Sequence, residues 1–189
     1  DAGPSFDVLI VGAGLSGIGA AHHLQRACPG TSYAILEARD TLGGTWDLFR
    51  YPGIRSDSEM YTLGYGFKPW RGRKAIADGP EILRYLRKTA DEAGITPNVR
   101  FGHRVVGASW SSADARWTLT VRGPGGRDTP WRAKFVLLCA GYYSYAQGHR
   151  PSFDGEADFR GRIVHAQFWP EDLDYAGKRV VVIGGGFGG

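Results

Sequence analysis

The chain has 189 residues and a net charge of +4, enough length for one good core and the start of a second domain. Its basic residues are scattered, with no Lys/Arg block and no RNA-type aromatic motif. The excess charge therefore suits cofactor phosphates, and nucleic acid is excluded as a partner. No apolar run approaches membrane-spanning length. No signal peptide precedes the first strand. Cys28 and Cys139, the two cysteines, have neither a nearby partner nor metal-ligand spacing, so two reduced thiols, no metal and a cytosolic place are expected.

Phe6 to Val11 is a short apolar run ending in glycine, the pattern of a buried parallel strand. Leu15 to Ala27 carries Ile18, Ala21 and Leu24 at helical spacing, and Pro29-Gly30 stops it. Tyr33 to Leu36 is the next strand and closes a βαβ unit. Asp40 to Trp70 is rich in Gly, Pro, Trp and Tyr and has no clear period; a stretch that long without regular structure usually carries function. Pro80 opens a second helix with Ile82, Leu83, Leu86 and Ala90 on one face and Gly94 as its stop. Val99 to Phe101 reads as a strand. Val105–Trp110, Trp117–Val121 and Trp131–Lys134 read as a small antiparallel meander, with Gly123-Pro124-Gly125-Gly126 as its second turn. Phe135 to Cys139 is expected as a separate buried strand, and Arg179 to Ile183 as the last one. Together they predict an α/β fold: a Rossmann-like domain with a small meander, then the start of a second Rossmann-like domain.

Two glycine turns carry the chemistry. Gly12-Ala13-Gly14-Leu15-Ser16-Gly17 follows a strand and opens a helix. Gly12 allows the tight turn, Gly14 lets the backbone approach a pyrophosphate, and Gly17 lets helix pack on strand. Glu37 ends the next strand, 25 residues after Gly12, near the roughly 20-residue spacing of a carboxylate that holds ribose hydroxyls. A glutamate there repels a 2′-phosphate, so the site should take FAD or NAD rather than NADP. The second turn, Gly184-Gly185-Gly186-Phe187-Gly188-Gly189, follows the last expected strand. Its helix and acid are not in the sequence, and the chain is expected to belong to a longer protein. Gly43-Gly44-Thr45-Trp46 continues through Tyr51-Pro52-Gly53-Ile54-Arg55-Ser56-Asp57. Its paired glycines bring backbone to a ligand, and Trp46 offers a flat apolar face. The bland alternative is a structural loop with an aromatic core.

Between the turns lies Phe159-x-Gly161-x-x-x-His165-x-x-x-Trp169-Pro170, five defined residues in twelve positions. With the Gly43–Asp57 stretch, continued by Met60-Tyr61-Thr62-Leu63, it resembles the paired signatures of type I Baeyer–Villiger flavin monooxygenases, most of all an actinobacterial subgroup of ethionamide-activating enzymes. The resemblance implies FAD and NADPH as cofactors, O₂ as co-substrate, and a ketone, thioether or thioamide as substrate, oxygenated through a C4a-peroxyflavin. It implies that Gly12, Ala13, Gly14, Leu15, Ser16, Gly17 and Glu37 hold the adenosine half of FAD. Gly44, Thr45 and Trp46 would line the flavin, with Asp57 and Tyr61 nearby, and Gly141 would approach the FAD phosphates. Gly184 and Gly186 would serve NADPH. Asp57 would be the catalytic residue of this chain, holding an arginine supplied from the NADPH domain. The implied division is an FAD-binding domain over 1–158, a linker over 159–177 and the opening of an NADPH-binding domain over 178–189, with the rest of the polypeptide required for turnover. His165 is then either a hinge residue or an ordinary hydrogen-bonded histidine.

Two other classes share part of this pattern. A flavin-containing N- or S-monooxygenase has both glycine turns, though Trp169-Pro170 favours the Baeyer–Villiger group. A non-catalytic FAD-binding fragment also fits the length. A flavin disulfide reductase is excluded, because no redox cysteine pair lies near the flavin loop.

Overall fold

A computed structural model describes residues 3–184. Four segments in chain order build the first layer: β1 (Ser5–Val11), α1 (Leu15–Ala27), β2 (Tyr33–Leu36) and α2 (Thr45–Leu48). Then come α3 (Met60–Leu63), α4 (Gly79–Glu92), β3 (Val99–Arg100), β4 (Arg104–Ser111), β5 (Arg116–Arg122) and β6 (Asp128–Leu138). The strands form one six-stranded sheet in the order β3-β2-β1-β6-β5-β4. β1 runs parallel to β2 and to β6, whereas β4–β5 and β5–β6 are antiparallel.

Side chains alternate across β1, and the two faces build two cores. Val8 and Ile10 pack with Ile18 and Ala21 of α1 and Ile82, Leu86 and Ala90 of α4. Leu9 faces the other way, with Leu36, Leu119, Val121, Trp131 and Ala133. α4 takes its start from Pro80 in its first turn and ends before Gly94, which sits at φ 62°. The expected face of α4 is the buried one, except that Leu83 is only half-buried and leans toward Gly43.

Three expectations are corrected. The third meander strand and the separate strand Phe135–Cys139 are a single eleven-residue strand, β6. No turn residue interrupts Trp131 to Leu138, so alternation simply continues. β6 pairs with β5 over Asp128–Ala133 and with β1 up to Leu138. The meander is thereby fused to the parallel sheet. The latter half of β6 is not buried either: beyond Ala133 it has β1 on one side and no β5 residue on the other, and Phe135 and Leu138 are exposed. Arg179–Ile183 forms no strand; Val180 to Ile183 are exposed, and no strand among the described residues pairs with them. A parallel strand is stabilised by its neighbours on both sides, and without them an apolar run stays extended but unpaired. Finally, the irregular stretch 40–70 contains the one-turn helices α2 and α3.

Candidate functional site: a crossing of two glycine turns

The first glycine turn leaves the carboxyl end of β1, between β2 and β6, and enters α1. Gly12 adopts φ 105°, and a Cβ there would stand 2.4 Å from the Cys139 carbonyl oxygen. A Cβ on Gly17 would stand 1.9 Å from the Gly12 carbonyl oxygen. Those two glycines are demanded by packing within the protein itself. Gly14 differs: a Cβ would meet only the Gly44 backbone, its Cα at 3.6 Å and its nitrogen at 3.9 Å, which is ordinary contact. The cradle over Gly14 is therefore open on its ligand side. α1 has no side-chain N-cap. Its first intrahelical bond runs from the Ile18 N–H to the Gly14 carbonyl, so the amides of Leu15, Ser16 and Gly17 have no acceptor in the helix and face the turn with the positive end of the helix dipole.

The second glycine pair docks on the first turn. The Gly43 amide donates to the Ala13 carbonyl at 3.0 Å, and Gly44 meets Gly14 backbone to backbone. Gly43 and Gly44 sit at φ 123° and 55°, with Leu83 and Asp47 crowding Gly43 from behind. Thr45 and half-buried Trp46 begin α2 immediately beyond. Two segments separated in sequence thus meet as one wall.

Glu37 closes the wall. It is buried, and its carboxylate accepts the Ala13 amide at 2.8 Å on one oxygen and the Arg39 amide at 2.9 Å on the other. A carboxylate has about four lone-pair sites, so two remain for hydroxyl donors. Gly141, at φ 74°, follows Cys139 and Ala140, which pack against Gly12.

Asp57 is exposed, next to Ser56, which is buried and exchanges hydrogen bonds with Ala77. The Asp57 charge and burial together push the Tyr51 phenol up, burial being the larger cause. Tyr143 is pushed up to about 12, first by its hydrogen bond with Tyr142 and then by burial, with the charges of Tyr142, Tyr51 and Asp57 adding to it. Phe49 packs edge-on against both Tyr51 and Tyr143. Tyr61 is exposed on α3. Gly184 is exposed at φ 101°, and Gly186 lies outside the described residues.

Four participants were not singled out from the sequence. Asp47, on α2, is 2% exposed and gathers three arginines: Arg39 at 2.6 Å, Arg87 at 3.0 Å and Arg50 at 3.9 Å. The Arg39 contact is close but not aligned as a hydrogen bond. The other three are Ser56, Tyr145 and Gln167. Asp47 lies in the dense loop, yet nothing in the sequence told it from Asp57, because the arginines come from distant segments. Asp47→Asn is expected to destabilise the protein by about 1–2 kcal/mol. Removing one partner of a fully buried pair costs about 3–5 kcal/mol, but Arg50 and Arg87 are roughly half exposed and water takes over part of their charge. A shift of the denaturant midpoint at unchanged m-value checks this, and an unchanged midpoint would show the cluster to be inert.

A strand–turn–helix with an uncapped amide cluster, followed by a strand ending in a buried acid, defines a dinucleotide-binding Rossmann module. Comparison with known proteins agrees. Residues 10–88 match the NAD(P)-binding Rossmann-like domain. Residues 76–189, more than half of the chain, match the flavin-binding monooxygenase-like family, and the chain belongs to that family. It is 59% identical over 181 residues to the FAD-containing monooxygenase EthA of Mycolicibacterium smegmatis, covering 96% of this chain and 37% of that protein. The probable FAD-binding monooxygenase AlmA of an Acinetobacter species is 50% identical, with 95% and 36% covered. Among solved structures, a steroid monooxygenase bound to NADP superposes with TM-score 0.80 at 38% identity, over 96% of this chain and 34% of that one. An open form of cyclohexanone monooxygenase gives TM-score 0.83 at 31% identity, over 97% and 36%. The chain thus spans little more than a third of the length of the relatives it matches.

Proposed function

We propose that this chain is the FAD-binding part, with the linker and the opening of the NADPH-binding part, of a flavin-dependent monooxygenase. The reading divides it at 1–158, 159–177 and 178–189. The observation that carries it is the open cradle at Gly14: glycines whose neighbours are filled on the protein side, an uncapped helix end, and a buried carboxylate with half its acceptor sites unused.

The residues present fit FAD. Gly12, Ala13, Gly14, Leu15, Ser16 and Gly17 form the turn for the pyrophosphate, where free amides and the helix dipole neutralise charge. Glu37 takes two ribose hydroxyls on its remaining lone pairs. Gly141 approaches from the end of β6. Gly44 and Thr45 face the flavin, and Trp46 shields it from water. FAD bound here, reduced by NADPH, supplies the oxygen-activating chemistry. The residues of this chain bind it, orient it and exclude water. Asp57, beside Tyr51 and Tyr143, holds negative charge at the flavin side, suited to fixing a cation from the rest of the polypeptide; Tyr61 follows on α3. Gly184 and Gly186 begin the NADPH turn. The substrate class is a ketone, or a thioether or thioamide, with O₂ as co-substrate. The reading places the protein in the cytosol, with Cys28 and Cys139 unpaired. Among the described residues no helix is long and apolar enough to cross a membrane.

The test uses the full-length protein. It should purify with flavin absorbance and consume NADPH with a cyclic ketone or a thioether, giving product heavier by one oxygen atom. Gly14→Val should lose most bound flavin while remaining folded, because its Cβ meets only Gly44 within the protein, at ordinary contact distance, and its branched side chain enters the pyrophosphate cradle. Wild-type flavin stoichiometry in that variant would remove the cradle from the reading.

A further inference from the structure

Tyr145 lies over the crossing of the two glycine turns. Its hydroxyl would stand 3.5 Å from a Cβ on Gly44, beside the Thr45 side chain. The Arg39 guanidinium sits 5.9 Å from its ring centroid. Burial pushes the phenol up, and the charge of Glu37 adds to this. The one side chain therefore spans the wall from the ribose acid to the flavin loop. No regular structure holds it, since residues 139–155 contain neither helix nor strand.

The support comes from the fingerprint segment instead. Gln167 is 5% exposed, and its side-chain amide donates to the Ser144 carbonyl at 2.7 Å, one residue before Tyr145. His165 accepts the Gln167 amide on Nδ1 at 3.1 Å. That leaves its Nε2–H to donate to the His149 carbonyl at 3.2 Å, and its ring covers Gly148, where a Cβ would stand 2.4 Å away. The strap 144–149 is thus lashed at both ends to 165–167.

We propose that Tyr145 is a positioning residue for the cofactor and that Gln167 acts through it: the fingerprint segment sets the strap, and the strap sets the phenol against the Gly44–Thr45 turn. Displacing 165–167 loosens the cofactor wall without touching it. Neither residue contacts a reacting atom. The proposal rests on the reading of the crossing as the FAD site.

The test is a double-mutant cycle on the full-length protein, reading the FAD dissociation constant by flavin fluorescence and the bound flavin's visible circular dichroism. Tyr145→Phe removes only the hydroxyl and should weaken FAD roughly fivefold, the size of one net hydrogen bond. Gln167→Leu should weaken it by a similar factor and change the dichroism in the same direction. The double variant should be no weaker than the poorer single one, because both remove the same restraint. Full multiplication of the two factors, or a Gln167→Leu protein with wild-type affinity and dichroism, overturns the proposal. Far-ultraviolet dichroism identifies misfolding; if Gln167→Leu misfolds, Tyr145→Phe with wild-type affinity and dichroism is sufficient to overturn it. A wild-type protein that takes up no flavin overturns the functional reading and this one with it. A wild type that binds flavin beside unchanged variants overturns this one alone.

Discussion

Gly17→Ala is expected to lower the stability of the full-length protein by about 2 kcal/mol and to abolish flavin retention. The new methyl would stand 1.9 Å from the Gly12 carbonyl oxygen and 3.0 Å from its carbon. Both atoms are backbone, so neither can swing away as a flexible side chain would. Overpacking of this kind costs about 1–3 kcal/mol and occasionally more. Alanine also gains up to about 1 kcal/mol in helix propensity over glycine, and the steric term wins because α1 must lift off β1 to relieve it. That lift widens the turn that carries Gly14 and its free amides. The checks are the thermal midpoint and the flavin-to-protein absorbance ratio. A variant as stable as wild type with full flavin content would show that the helix relaxes without cost.

Glu37→Gln is expected to weaken FAD by tenfold or more, with a smaller loss of stability. The carboxylate accepts amides on both oxygens, from Ala13 and from Arg39. Glutamine keeps one acceptor and turns an NH₂ group toward the other N–H. A hydrogen bond to a charged acceptor is worth about 1.5–3 kcal/mol, and a buried donor left facing a donor costs more than the bond itself. The ribose loses a charged acceptor at the same time. Titration of apoprotein with FAD reads the first effect and denaturant unfolding of the apoprotein reads the second. Unchanged affinity beside reduced stability would make Glu37 a purely structural brace of the turn.

These two residues show how far the sequence reaches. Gly17 and Glu37 belong to a local pattern whose geometry is set by covalent chain and hydrogen bonding over one βαβ unit, and their spacing alone located them. α1, β1, β2 and the limits of α4 were legible for the same reason, since period, proline and glycine act within a few residues. That Glu37 braces the turn was not legible, because it depends on the angle at which β2 delivers the carboxylate to Ala13.

The β6 region marks the other limit. Trp131–Lys134 and Phe135–Cys139 looked like two strands because the local composition changes from mixed to apolar. Composition reports the surroundings of a strand, whereas its continuity is decided by which neighbours pair with it. Arg179–Ile183 fails in the converse way. It has the composition of a central strand but no partner among the described residues, and hydrogen bonding between strands is not a property of one strand.

The sequence by itself determined the dinucleotide turn, the acid that follows it, the Gly43–Asp57 loop and the fingerprint, and through them the family. Each is a short run whose residue types are constrained by backbone shape or by ligand chemistry at that very place. Only the tertiary structure decided that Gly44 closes on Gly14, that Asp47 rather than Asp57 is the buried carboxylate, with arginines from three segments around it, and that Tyr145 is hung on Gln167. Those pairings join residues up to 40 positions apart, and no local spacing encodes them. They arise when the sheet order β3-β2-β1-β6 brings the ends of β1, β2 and β6 together on one edge, so that loops unrelated in sequence share a single wall.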